Sequence, residues 1–101
     1  MGSVQLKINP SLASMAMATW FSAYLTVEYP LDGTATIGEL LSNFTREHRE
    51  YASIFFDTVT GKISDGINVT LNHNMLVSSQ AGKVRIKDGD IIIILPIYEG
   101  G

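Results

Sequence analysis

Few residues of this chain can do chemistry, and the most distinctive of them stand together at its end. The sequence closes DGDIIIILPIYEGG, an aliphatic run from Ile91 to Leu95 followed by Pro96 and five more residues. Pro96 has no N–H to give a ladder, so the chain is expected to leave its sheet there. Ile97, Tyr98, Glu99, Gly100 and Gly101 then span at most about 17 Å when extended. Gly100 and Gly101 offer bare backbone that can thread a narrow channel, at an entropic cost when it is ordered. The carboxylate of Gly101, with a reference pKa of about 3.3–3.7, is ionised at neutral pH. A carboxylate is a poor acyl donor until it is activated. If it attacks the α-phosphate of ATP it becomes an acyl-adenylate, from which sulfur or an amine displaces AMP. The bland alternative is a terminus that frays.

Elsewhere the chemistry is thin. His48 and His73 are the only histidines, and neither shows metal-ligand spacing with the other or with a carboxylate. The chain has no cysteine, which excludes disulfides, zinc knuckles, iron–sulfur clusters and a cysteine nucleophile. That composition suits a reducing, cytoplasmic home. There is no G-x-S-x-G, no P-loop and no dinucleotide fingerprint. No local sequence pairs a nucleophile with a base. The expectation is a protein that is not itself an enzyme, with no bound cofactor and no metal. Its net charge of -3 gives no basic footprint for nucleic acid. The uncharged stretch between Lys7 and Glu28 carries too many Ser, Thr and Ala residues for a membrane span. Its Ala-Met-Ala follows no strong apolar region, so it is not read as a cleavage signal. The sequons at Asn43 and Asn68 are read as chance matches, one in a predicted helix and one in a predicted strand.

The length of 101 residues suits a single domain over 1–101, with a tail at about 97–101. VQLKIN alternates Val4, Leu6 and Ile8 against polar residues, the period of a half-buried strand. SLASMAMATW predicts a short helix or helical loop. FSAYLTVEY alternates again over Phe21–Tyr29, and Pro30 with Asp32-Gly33 marks a turn. TIGELLSNFTREHREY predicts the main helix. Thr36 and Glu39 form a capping box, and Ile37, Leu40, Leu41, Phe44, His48 and Tyr51 share one stripe. SIFFD predicts a short strand, TVTGKISDG a loop, INVTLN a strand, HNM a turn and MLVS an extended piece. VRI is extended, and KDGD turns into the last strand.

Along IIIIL, Ile91, Ile93 and Leu95 point to one face and Ile92 and Ile94 to the other. A strand apolar on both faces is normally covered on both, yet only one substantial helix is predicted. The remaining face is either covered by the early SLASMAMATW segment or left for a partner. Ile92 and Ile94 are the candidate partner-binding pair. Lys83, Arg85 and Lys87 alternate with Val84 and Ile86 and form either a solvated face or a docking patch for an acidic partner.

TIGELLSNF, INVTLNHNMLV and KVRIKDGDIIIILPIYEGG resemble the β-grasp sulfur carriers, the small subunit of molybdopterin synthase (MoaD-like) and the thiamine-pathway carrier (ThiS-like). The resemblance implies an α+β, ubiquitin-like β-grasp fold, a mixed sheet packed on one main helix with first and last strands adjacent and parallel. It implies that Gly101 is adenylylated with ATP by a ubiquitin-activating-like adenylyltransferase (MoeB/ThiF-like). A sulfur donor then converts it to a thiocarboxylate, while Gly100, Glu99, Tyr98 and Ile97 thread the partner. The family often has two prolines followed by small residues before Gly-Gly. Here only Pro96 is kept, followed by Ile97, Tyr98 and Glu99. Thiamine carriers are usually shorter than this chain, which carries an extra segment at 10–20 and a loop at 57–66. The expectation is therefore the MoaD-like branch, in molybdopterin biosynthesis, with a pterin-binding synthase subunit (MoaE-like) as acceptor. The same tail chemistry serves a ubiquitin-like modifier joined to lysines.

Overall fold

The computed structural model of the chain describes residues 2–17, 20–31 and 33–97. The last strand is the middle of the sheet. β7 (Ile91–Pro96) runs parallel to β1 (Gly2–Ile8) on one side and antiparallel to β4 (Ile67–Leu71) on the other. β2 (Leu25–Leu31) extends the sheet beyond β1, and β5 (Asn74–Leu76) extends it beyond β4. The order β2-β1-β7-β4-β5 is thus a mixed sheet with first and last strands adjacent and parallel. A two-residue pairing of β3 (Ala35–Thr36) with β6 (Arg85–Ile86) lies apart from it.

Register decides what each strand buries. Leu6 stands opposite Ile92, Ile8 opposite Ile94, and Ile94 opposite Val69. These residues therefore share one sheet face, and all are fully buried. They meet Ile37, Leu40, Leu41 and Phe44 of the main helix, α2 (Ile37–Glu47), in one core. α2 starts as its sequence predicts. The Glu39 N–H donates to Thr36 Oγ1 at 3.2 Å, and the Thr36 N–H donates to Glu39 Oε1 at 2.9 Å. Each side chain satisfies an N–H that has no partner within the helix.

The helix ends earlier than the apolar stripe suggests. His48 leaves helical geometry with φ -126°, and a 3-10 turn over Arg49–Tyr51 leads into α3 (Ala52–Phe55). The predicted strand SIFFD is therefore helical up to Phe55. An apolar run this short does not distinguish strand from buried helix by its period. Aromatic packing decides the matter. Tyr51 and Phe55 are both buried, and their rings lie 5.0 and 5.7 Å from the Phe44 ring. Phe56 is extended, in a bridge to Ile63.

β2 also departs from expectation. Phe21–Tyr24 lie outside it, and the strand runs through Pro30 to Leu31. Ser3, opposite Pro30, donates its N–H to Asp88 Oδ1 and accepts at its carbonyl from the Gly89 N–H. Pro30 therefore faces the outer, unpaired side of an edge strand, where a missing N–H costs nothing. The early helix is present as α1 (Pro10–Met17), with Pro10 in its first turn and the Ser11 N–H donating to Asn9 Oδ1 at 2.8 Å. The β4–β5 hairpin turns on Asn72 and His73, both with positive φ (50° and 72°), as a two-residue type I′ connection requires. The single turn α4 (Ser78–Ala81), which follows β5, has no period that a sequence reading could find.

One glycine is held by close approach. The Gly38 N–H donates to the Gly82 carbonyl at 3.0 Å, and a Cβ on Gly38 would stand 2.8 Å from that oxygen. Alanine is the better helix former, yet Gly38→Ala is expected to destabilise the fold by about 1–3 kcal/mol. Urea denaturation of the two proteins measures it, and an equal or higher midpoint would show that the two backbones can separate freely.

Candidate functional site

The candidate site is the place where the chain leaves the sheet after β7, and the sheet is built to hold that place still. At the start of β7 a polar cluster fixes the strand. Asp90 is buried at 3% exposure. Its Oδ1 accepts from Asn72 Nδ2 at 2.9 Å, and its Oδ2 accepts from the Lys87 N–H at 2.8 Å. Asn72 Oδ1 in turn accepts from the Ile91 N–H at 2.9 Å, so the β4–β5 turn grips the first residue of β7. Gly89, with φ +88°, makes the turn that aims Asp90 inward.

Burial pushes the Asp90 carboxyl up. Hydrogen bonds from Asn72 and the Lys87 backbone, with the Lys87 charge, more than offset it, and the net position is below the usual carboxylate range. A group lowered in this way stabilises the fold above its unfolded pKa of about 3.9 and loses that contribution as pH falls through the folded value. Asp90→Asn can accept at only one atom and turns a donor toward the other. It is expected to cost about 1.5–3 kcal/mol at pH 7. Denaturation of both proteins at pH 7 and at pH 3 should show the difference shrinking in acid. A difference that stays constant would place the effect in packing rather than charge.

At the other end of β7, Pro96 stands opposite Ile67, and the Ile97 N–H donates to the Gly66 carbonyl at 3.3 Å. That bond is the final fastening among the described residues. Ile97 is 40% exposed. Tyr98, Glu99, Gly100 and Gly101 lie outside the described residues.

The partner-binding expectations change. Ile92 and Ile94 are not available to a partner, because both are fully enclosed between the sheet and α2. The register gives them the helix-covered face. The open face of β7 carries Ile91, Ile93 and Leu95, all half-buried, with Thr70 opposite Ile93 and the exposed Met75 opposite Thr70. Lys83, Arg85 and Lys87 are all exposed, but they do not share a strand. β6 holds only Arg85 and Ile86, Lys83 lies in the preceding turn, and Lys87 follows. Lys87 leads into the start of β7, about 20 Å of strand away from the tail, with its Nζ 4.0 Å from Asp90 Oδ1. Lys83 instead lines an open groove of about 750 Å³ that α2 forms with the 57–65 loop, together with Arg46 and Lys62. His48 caps α2 with its ring 4.6 Å from Phe44, and His73 sits in the hairpin turn. Among the described residues no group of three or more histidines and carboxylates is placed to hold a metal ion. No helix there is long and apolar enough to cross a membrane.

The Asp90–Asn72 pair and the Ile97–Gly66 bond are elements of this site that the sequence does not single out. The D-G-D turn hinted at the first, but Asn72 is distant in sequence and only the sheet brings it near.

The ThiS family pattern matches residues 23–101, most of the chain and all of its C-terminal part. The chain belongs to the ThiS family. This is a family of small ubiquitin-like sulfur carriers and modifiers. No curated protein matches the chain. Among solved structures, SAMP1 from Haloferax volcanii is 29% identical, with a TM-score of 0.71 over 99% of this chain and 100% of that one. A putative molybdopterin converting factor subunit 1 from Pyrococcus furiosus is 16% identical, with a TM-score of 0.66 over 97% of this chain and 100% of that one. A chain of the Amycolatopsis orientalis BexX/CysO complex is 23% identical, with a TM-score of 0.68 over 97% of this chain and 99% of that one. The ubiquitin-like β-grasp fold that the family resemblance implied is therefore the fold of this ThiS-family protein.

Proposed function

We propose that this ThiS-family protein carries sulfur on its last residue, Gly101, for molybdopterin biosynthesis. The observation that carries the proposal is the family match running through residue 101 onto a strand that ends in a fixed exit point at Pro96 and Ile97. A ubiquitin-activating-like adenylyltransferase binds the Gly101 carboxylate with ATP. A carboxylate oxygen attacks the α-phosphate, pyrophosphate leaves, and an acyl-adenylate forms. A sulfide-level donor then attacks the acyl carbon, AMP leaves with that oxygen, and a thiocarboxylate remains. Gly100 and Gly101 carry no side chain to block the channel, and Ile97, Tyr98 and Glu99 line its entrance. The protein holds no cofactor of its own, and a pterin-binding synthase subunit receives the sulfur. Intact-mass measurement after incubation with the activating enzyme, ATP and a sulfur donor should show a gain equal to sulfur replacing one oxygen. An unchanged mass, with an enzyme competent on another carrier, counts against the proposal.

The likeness to a small archaeal modifier protein, at 29% identity, favours a second reading in which a protein lysine replaces sulfur. Its sign is a ladder of slower-migrating conjugates that requires Gly101.

A further inference from the structure

An enzyme that activates Gly101 must dock beside the exit of the tail. β1 and β7 are parallel, so the end of β1 lies beside the end of β7. The Asn9 N–H donates to the Ile94 carbonyl at 3.0 Å, and α1 begins at the next residue. Across β1, Ile8 stands opposite Leu25, which brings Tyr24 to the same edge, with Asn9 Nδ2 3.5 Å from its Oη. The start of α1 and Tyr24 therefore flank the exit of the tail.

Leu12 and Ala13 are buried, and Ala16 and Phe21 pack against the core. The Phe21 N–H donates to Ser14 Oγ at 3.1 Å and ties the following loop to the helix. Away from the core Trp20 is 84% exposed and Met15 69% exposed, and Met17 and Tyr24 are also in solvent. No charged residue occurs between Lys7 and Glu28. Large apolar side chains displayed from an anchored base, without charge among them, have the composition of an interface centre, where Trp, Tyr and Met are enriched and charges depleted.

We propose that Met15, Met17, Trp20 and Tyr24 form the docking surface for the ATP-dependent adenylylating enzyme. The inference rests on the tail reading above, and the length of the tail selects the occupant. The four residues after Ile97 reach at most about 14 Å. An enzyme that holds the Gly101 carboxylate in its active site must bring the mouth of its channel within that distance of Ile97. It must therefore meet whatever borders the exit, and the start of α1 and Tyr24 do.

Trp20 is the only tryptophan in the chain, so the full-length protein labelled with 5-fluorotryptophan gives a single fluorine resonance. Adding the unlabelled cognate adenylylating enzyme should shift and broaden it. Trp20→Ser and the pair Met15→Ser with Met17→Ser should keep the wild-type melting temperature, because these side chains are in solvent. Each should raise the KM for the carrier in ATP–pyrophosphate exchange, on the order of 30-fold for Trp20→Ser, with kcat little changed. An unmoved resonance and equal KM values, with the enzyme turning over the wild-type chain, overturn the docking surface and leave the tail reading standing. No turnover of the wild-type chain overturns both. A resonance that shifts with carrier concentration alone assigns the surface to a second copy and also overturns the proposal.

Discussion

A chain lacking Gly101 is expected to melt at the wild-type temperature and to lose ATP-dependent activation completely. Deletion leaves a carboxylate, now on Gly100, so the chemical group survives. What changes is its position, drawn back by one residue, or about 3.3–3.6 Å. Displacements of about 1 Å in a reacting group already cost on the order of 100-fold in rate. A shift three times larger should remove pyrophosphate exchange and the sulfur mass gain below detection. Stability should not follow, because among the described residues the core ends at Ile94 and the last backbone fastening is at Ile97. Intact-mass measurement and a thermal melt on the same sample separate the two effects. Normal activation of the shortened chain would remove Gly101 from the mechanism.

Ile94→Ala should act the opposite way, unfolding the protein rather than silencing it. Ile94 is fully enclosed, opposite Ile8 on one neighbour and Val69 on the other. Its truncation removes buried methyl groups and leaves a cavity between sheet and α2, at a cost of about 2–5 kcal/mol. For a domain of this size that lowers the melting temperature by roughly 10–30 °C. Ile93→Ala, one residue away on the open face, should cost about 1 kcal/mol or less. The pair is a direct test of which face of β7 is core. A stable Ile94→Ala protein with weakened partner binding would restore the partner role that the enclosed position denies.

That test marks the limit of what periodicity could say. The alternation in VQLKIN identified Val4, Leu6 and Ile8 as one buried row, and all three are buried. In the aliphatic run of β7 there is no alternation, since both faces are apolar. Which face meets α2 depends on pairing with β1 and β4, and those partners lie far away in sequence. The same limit explains SIFFD. Its residues suit a strand, but packing of Tyr51 and Phe55 on Phe44 stabilises a helical turn instead. Pro30 looked like a strand end because its neighbours could not reveal that β2 is an edge.

The capping box at Thr36 and Glu39 and the turn at Gly89 are local, so the residue types alone specify them, whereas the strand expected to end at Pro96 runs through it, opposite Ile67. The terminal Gly-Gly and the lack of cysteine likewise narrow the chemistry before any fold is known. Everything that turns those signals into a site is non-local. Burial of Asp90 against Asn72 follows from antiparallel pairing of β7 with β4, and enclosure of Ile92 and Ile94 also needs the parallel pairing between residues about 86 positions apart, Gln5 with Ile91 and Ile8 with Ile94. A strand pairing over that separation is set by burial of its whole face at once, and no short stretch of sequence carries that free energy.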